Sequence, residues 1–124
     1  MKGADRRYDS FVPPRRTSPL PVVVLPRIRF QRGTVIVLGP GKADLLEAVA
    51  REGSIRAAAT ALGMSYMRAW SLVRVMNTEF RSPLVLLVRG GPDHGGAVLT
   101  PAGARVATLY REMEQAALDA VAPG

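Results

Sequence analysis

The side chains of this 124-residue chain that are best suited to chemistry lie in the stretch GSIRAAATALGMSYMRAW, residues 53–70, and in the helix that its second half begins. Winding that helix at about 100° per residue places Met67, Ser71, Arg74 and Thr78 opposite its apolar face. Arg68 and Val75 then lie on one flank, and Tyr66 and Trp70 lie on the other. The candidate binding residues are Ser65, Tyr66, Met67, Arg68, Ser71 and Arg74. Hydroxyl and guanidinium groups bond to base edges and phosphates, so the pattern predicts nucleic-acid binding by one helix face.

The members of this set are expected to act differently. Arg68 lies in the N-terminal half of the helix and is the expected base reader, because a guanidinium can bond O6 and N7 of guanine together, worth roughly 1–3 kcal/mol of discrimination. Arg74 is expected on a phosphate. Ser65 is expected both to cap the helix and to donate to a phosphate, whereas Met67 either contacts a thymine methyl group or is incidentally exposed.

The remaining polar and aromatic residues give weaker signals. Arg56 lies near the start of the preceding helix, where free amides also attract phosphate, or is an ordinary solvated arginine. Arg89 and His94 lie in a glycine-rich loop that could meet the minor groove, although a lone histidine in such a loop is usually solvated. Trp70, on the flank of the helix, is interpreted as a partly buried packing residue rather than a DNA contact.

Three short helices are predicted to position these residues. The first runs from Lys42 to near Gly53, with Asp44 and Glu47 in its early turns, where the helix dipole favours acidic groups. Its inner face comprises Leu45, Leu46 and Val49. Ser54 is expected to cap a second helix that ends at Gly63. The inner face of the second helix comprises Ile55, Ala58, Ala59 and Leu62.

Ser65 is expected to cap the third helix, which runs to about Phe80. Its inner face comprises Ala69, Leu72, Val73, Met76 and Phe80. The turn between the second and third helices is too short for antiparallel packing, and the alanines let the two backbones approach closely. This is the outline of a helix-turn-helix, although an ordinary three-helix core with a tight turn fits the same pattern equally well.

The segment after the third helix favours the first alternative. Ser82-Pro83 ends the helix, and residues 84–88 (LVLLV) and 97–99 (AVL) are predicted strands around the loop RGGPDHGG. A glycine-rich hairpin that directly follows a helix-turn-helix is a wing. The predicted fold class is therefore mainly α with small β, a winged helix-turn-helix with short N-terminal strands.

A long last helix is predicted over residues 101–120, because Thr100-Pro101 supplies its N-cap and first position. Its apolar stripe comprises Val106, Leu109, Tyr110, Met113, Ala117 and Val121. No later element follows to cover this stripe, so it is a candidate dimer interface. Packing against the first helix is the alternative.

The N-terminal part differs in composition from the rest. Residues 1–21 combine Arg, Pro and Ser with few large apolar groups, which predicts a disordered arm, and residues 22–124 then form the domain. Residues 22–38 predict a hairpin or two short strands around Arg32-Gly33. The net charge is +7, and residues 1–32 hold eight of the 17 basic side chains against Asp5 and Asp9. The arm is thus strongly basic, and either follows the DNA or acts as a soluble tail.

The sequence offers little for catalysis, with one His, no Cys and no paired-carboxylate pattern. The segment GPGK at 39–42 matches a phosphate-binding loop only in part, because Ile36 stands where an earlier glycine is needed and Ala43 stands where Ser or Thr would bind magnesium. We therefore expect no enzyme, no catalytic residue, no cofactor and no metal site. No apolar run reaches the roughly 18 residues of a membrane span, so a cytoplasmic location without a membrane partner is expected.

Residues 39–114 resemble the N-terminal winged helix-turn-helix domain of the ModE-type molybdate-responsive transcription regulators. The shared segments are LLEAV, GSIRAAATALGMSYMRAW, MN at 76 and 77, GGAVLTPAG and LYREME. The framework SIRAAATALGMS with LTPAG is more distantly similar to LysR-type regulators. The resemblance implies a homodimer that binds double-stranded DNA with the third helix in the major groove, and a molybdenum-related set of target genes.

Two departures from that family affect the expectation. ModE-type regulators carry C-terminal molybdate-binding domains, which are not expected in this chain, and the first wing strand LVLLVRGG lacks the family's usual acidic-basic pair before a threonine. The alternative function is a partner without a sensor that forms a heterodimer with a longer regulator and modulates it.

Overall fold

The computed structural model describes residues 19–89 and 95–122. The elements in chain order are β1 (Phe30–Arg32), β2 (Val35–Leu38), α1 (Pro40–Glu52), α2 (Ile55–Leu62), α3 (Tyr66–Glu79), β3 (Val85–Val88), β4 (Gly96–Leu99) and α4 (Pro101–Val121). The two strand pairs are separate antiparallel hairpins. This arrangement confirms the predicted mainly-α winged helix-turn-helix fold. Most of the predicted arm, residues 1–18, lies outside the described residues.

Local signals place the ends of the three central helices. The Oγ atoms of Ser54 and Ser65 accept hydrogen bonds from the amides of Ala57 and Arg68, each at 3.0 Å. Gly63 ends α2 at φ 69°, in the left-handed region that glycine enters without steric cost. These three predicted ends are thereby confirmed, and α3 ends at Glu79 with Phe80 as its C-cap, close to the predicted end.

Helix α1 begins two residues earlier than predicted. Pro40 occupies its first turn, where a missing N–H costs nothing, and Gly39 is the N-cap without a side-chain bond. Asp44 and Glu47 therefore lie beyond the first turn, so their expected role at the helix dipole is wrong. Both instead accept hydrogen bonds from Arg111 of α4.

The core forms where α1, α2, α3, the wing and one side of α4 meet. Its largest fully buried side chains are Tyr110, Leu45, Leu46, Met76, Leu84, Val49 and Val73. Ala58 and Ala59 are at most 1% exposed, which confirms that they lie on the inner face of α2. Three predicted inner residues, Leu62, Leu72 and Phe80, are only half-buried because they lie at the edge of this core.

The N-terminal hairpin β1–β2 turns at Gly33, as the Arg32-Gly33 pair predicted. Residues 22–25, which also have strand-forming composition, are exposed and belong to no strand. The hairpin is held to the end of α3 by Arg32, whose Nε lies 2.7 Å from Oε1 of Glu79. In the described part of the chain, no helix is both long and apolar enough to cross a membrane.

Helix α4 packs against α1 and the segment before β1. Tyr110 is fully buried, and its hydroxyl donates to the carbonyl of Ile28 at 2.6 Å. Burial raises the pKa of Tyr110 above its ordinary value. The alternative expected for α4, packing on the first helix, is thus realised on one of its sides.

Candidate nucleic-acid interface

The outward side of α3 carries four of the predicted binding residues. Met67 is 74% exposed, and Arg68, Ser71 and Arg74 are exposed beside it. Neither Arg68 nor Arg74 has a side-chain hydrogen bond or ion pair within residues 19–89 and 95–122. Two unpaired guanidinium groups beside a hydroxyl can therefore bond to an external polyanion without breaking an internal contact.

Ser65 lies at the start of this surface. Its Oγ already accepts the amide hydrogen of Arg68, which leaves the hydroxyl hydrogen available for another acceptor. The geometry is compatible with both predicted roles, the helix cap and the phosphate donor.

One flank of α3 faces the wing and carries two aromatic side chains, Tyr66 and Trp70, that contact each other. The rings of Tyr66 and Trp70 meet edge to face, with centroids 6.3 Å apart and planes at 87°. The guanidinium carbon of Arg56 lies 4.2 Å from the Tyr66 centroid, a cation–π contact. Both rings are half-buried, so Trp70 packs as interpreted from the sequence. Tyr66, which helical spacing placed on the same flank, contacts Arg56 and Trp70.

A cleft of about 570 Å³ separates this flank from the wing. It is lined by Ser54, Ile55, Arg56, Tyr66, Trp70, Leu87, Gly95 and Gly96. Arg89 is exposed just beyond β3, whereas His94 lies outside the described residues. The cleft thus has Arg56 on one wall and the wing on the other.

The opposite flank of α3 faces the N-terminal hairpin and the start of α1. Lys42, the third residue of α1, is 9% exposed. Desolvation, followed by the positive charge of Arg68, lowers the pKa of Lys42 below its ordinary value.

Asn77 is a positioning residue that the sequence analysis did not single out. Its Oδ1 accepts from the amides of Leu84 and Val85 at 2.8 and 3.1 Å, and its Nδ2 donates to the carbonyl of Val85 at 3.0 Å. These bonds tie α3 to the first wing strand. Its signal in the sequence is that MN at 76 and 77 is one of the segments shared with ModE-type regulators.

The wing is also held at its base. The amide of Ala97 donates to the carbonyl of Gly53 at 2.8 Å, and the hydroxyl of Thr100 donates to the carbonyl of Pro83 at 2.8 Å. Gly103 approaches the backbone of Leu84 so closely that a Cβ there would overlap it. The orientation of the wing relative to α3 is therefore set by several backbone contacts.

The predicted dimer residues of α4 are divided by the fold. Tyr110 is buried in its own chain, whereas Leu109 is 40% exposed and Val106, Met113 and Ala117 are half-buried. Val106, Leu109 and Met113 line one side of a groove of about 400 Å³, and Phe30 of β1 and Phe80 line another part. Any apolar surface that α4 offers to a partner therefore includes the N-terminal hairpin and excludes Tyr110.

Comparison with known proteins identifies relatives of this region. Residues 42–104 match the bacterial regulatory helix-turn-helix proteins of the lysR family. The molybdenum-pterin-binding protein MopB of Rhodobacter capsulatus is 42% identical over 91 residues, which are 69% of this chain and 34% of MopB. The molybdenum transport protein ModE of Azotobacter vinelandii is 40% identical over 98 residues, 77% of this chain and 36% of that protein.

A third relative is named as a regulator. The DNA-binding transcriptional dual regulator ModE of Escherichia coli K12 is 39% identical over 83 residues, 64% of this chain and 32% of that protein. The chain thus spans about a third of the length of the curated relatives it matches. These matches confirm the resemblance to ModE-type and LysR-type regulators and lie among regulatory proteins rather than enzymes.

Proposed function

We propose, from the premise that this chain belongs to the lysR family of bacterial regulatory helix-turn-helix proteins, that it is a sequence-specific DNA-binding transcription regulator. Helix α3 is the recognition helix and enters the major groove of double-stranded DNA. The relatives named for molybdenum support a role in a molybdenum-related set of genes. The site of action is the cytoplasm, where bacterial DNA lies.

The main support for this proposal is the exposure of polar and basic side chains along α3. Arg68, Ser71 and Arg74 are exposed together on a helix that the packing of α1, α2 and the wing holds rigidly. A recognition helix reads bases with the residues of its N-terminal half, so Arg68 reads a base and Arg74, six residues later in the second half, contacts a phosphate. Arg56, stacked on Tyr66, contacts the backbone on the side of the wing.

The functional unit is a homodimer. A two-fold axis places the two α3 helices about 34 Å apart, so each subunit reads one half of a pseudo-palindromic site. The exposed side of Leu109, with Val106, Met113 and Ala117, supplies apolar area for that contact. A heterodimer with a longer regulator would use the same area.

The test is selection of sequences from a randomised duplex pool over a salt series, with the mass of the complex measured in the same buffer. Enrichment of a palindrome bound by a dimer is the expected result. Wholly salt-driven binding without enrichment would contradict sequence-specific recognition, and recovery of affinity after mixing with a full-length relative would favour the heterodimer.

Two variants separate the roles of the arginines. Arg68→Ala should relax the preference for one base in each half-site. Arg74→Ala should weaken binding to all sequences alike, and the slope of log affinity against log salt should become shallower by about 0.9, the contribution of one phosphate contact. Arg105→Gln is the matched control, because Arg105 is an exposed residue of α4. Equal effects of Arg68→Ala and Arg74→Ala across all sequences would refute this division.

A further inference from the structure

The cleft between α3 and the wing is lined by hydrogen-bond donors that have no partner in the described part of the chain. The guanidinium of Arg56 forms no hydrogen bond or ion pair with a described residue, and neither the Tyr66 hydroxyl nor the Trp70 indole N–H donates to one. Within residues 19–89 and 95–122, no fully buried side-chain nitrogen or oxygen lacks a partner, so these two half-buried side chains present their polar atoms to accessible space. The cleft therefore has unused donors for an external acceptor.

The rest of the lining indicates what kind of acceptor fits. None of the described residues that line the cleft is acidic, and the wing contributes Leu87, which is 58% exposed, with Gly95 and Gly96. A nucleic-acid strand alternates phosphates, which accept hydrogen bonds from arginine, with sugars whose carbon atoms pack against apolar side chains. A donor wall that faces an apolar wall therefore matches one sugar–phosphate strand.

A chain of ring contacts holds Arg56 at this cleft. Its guanidinium carbon lies 4.2 Å from the centroid of Tyr66, and the Tyr66 ring meets Trp70 edge to face with centroids 6.3 Å apart. Both aromatic side chains pack against the hydrophobic core. A guanidinium over a ring uses its flat face, so its five in-plane N–H donors stay available. The core thus restricts Arg56 through Trp70 and Tyr66 without consuming its donors.

We propose that the cleft holds one sugar–phosphate strand of the DNA and that Tyr66 is a positioning residue, which presents Arg56 to a phosphate of that strand. The inference rests on the proposed function and deepens it, because Tyr66 then acts through Arg56 and does not read a base. An arginine that is already ordered loses less side-chain entropy on binding. Since ordering one long side chain at an interface weakens binding about two- to tenfold, this is the effect expected from loss of the Tyr66 ring.

The first experiment is a double-mutant cycle of Arg56→Ala and Tyr66→Leu, measured as affinity for duplexes of several unrelated sequences. Since each phosphate contact contributes about 0.9 to the slope of log affinity against log salt, wild type should lose about 3.5-fold more affinity than Arg56→Ala between roughly 0.05 and 0.2 M salt. Tyr66→Leu should weaken binding about two- to tenfold when Arg56 is present and have no effect in the Arg56→Ala background.

Two controls accompany the cycle. Tyr66→Phe keeps the ring under the guanidinium and removes only the hydroxyl, so it should bind DNA like wild type. Arg105→Ala removes an exposed arginine of α4 and should leave both the affinity and the salt slope unchanged.

Occupation of the cleft can be measured on the wild-type protein, which removes any dependence on how well the variants fold. Trp70 is the single tryptophan of the chain, so its fluorescence reports on the cleft alone. A strand in the cleft should shield the indole, and quenching by acrylamide should be weaker in the saturated DNA complex than in the free protein. Release of the DNA at high salt should restore the quenching of the free protein.

The possible outcomes separate this inference from the proposed function. Equal losses from Tyr66→Leu in both backgrounds would show a purely structural role, and a loss in Tyr66→Phe as large as that in Tyr66→Leu would make the hydroxyl a direct DNA contact; either result overturns the positioning role. Unchanged quenching of Trp70 in the saturated complex would overturn the strand in the cleft and leave DNA binding by the rest of α3 intact. Failure of wild type to bind any duplex would overturn both this inference and the proposed function.

Discussion

Replacement of Asn77 by alanine tests whether α3 and the wing form one rigid unit. The substitution removes three hydrogen bonds, between 2.8 and 3.1 Å long, to the backbone of Leu84 and Val85. Leu84 and Val85 are 1% and 2% exposed, so water reaches their backbone groups poorly. At about 1 kcal/mol for each bond, Asn77→Ala should lower the free energy of unfolding by about 3 kcal/mol.

The assay is equilibrium unfolding in urea, followed by the fluorescence of Trp70, which lies in the cleft between α3 and the wing. A loss of about 3 kcal/mol should lower the urea midpoint by about 2 M, because the slope for a domain of this size is about 1–3 kcal/mol per M. Protein concentration must be equal in all samples, since dimerisation would make the measured stability depend on it.

Two further variants make the reasoning refutable. Asn77→Asp keeps an oxygen acceptor for both amides and loses only the donor to Val85, so it should lose about 1 kcal/mol. Thr78→Ala changes the exposed neighbouring residue and should stay within about 0.5 kcal/mol of wild type. If Asn77→Ala also stays within that margin, or loses no more than Asn77→Asp, these hydrogen bonds do not hold the wing.

Two other predictions concern the packing of α4. Gly103→Ala should lower the free energy of unfolding by about 3 kcal/mol in the same urea assay, because its Cβ would overlap the backbone of Leu84; the matched Gly41→Ala, which meets nothing within 4 Å, should be neutral or slightly stabilising. The hydrogen bond from Arg111 lowers the pKa of Glu47 below 4.5, so this pair stabilises the fold above pH 4.5 and stops doing so as the pH falls through the lowered pKa. Glu47→Gln should therefore cost about 1 kcal/mol at pH 7, and urea titrations should show that difference shrinking below pH 4.5; a constant difference would contradict the ion-pair origin.

The helix-turn-helix and the wing could be predicted from the sequence because their signals act over a few residues. Ser54 and Ser65 bond to amides three positions later, and Gly63 supplies a positive φ that other residues rarely adopt. The outward side of α3 also followed from helical spacing alone, since Met67, Ser71, Arg74 and Thr78 are all exposed. Composition also favoured a strand at residues 22–25, where β-branched residues are common. These residues form no strand, because no neighbouring strand pairs with them.

The tertiary structure alone decided which contacts join distant segments. Tyr110 belongs to the apolar stripe of α4 in the sequence, but the packing of residues 82 positions apart buries it against Ile28 and leaves Leu109 outside. The same holds for Asn77 of α3, whose side chain bonds to the backbone of the first wing strand. Periodicity specifies which side of a helix is apolar, whereas the element that covers this side is selected by the free energy of packing the whole chain.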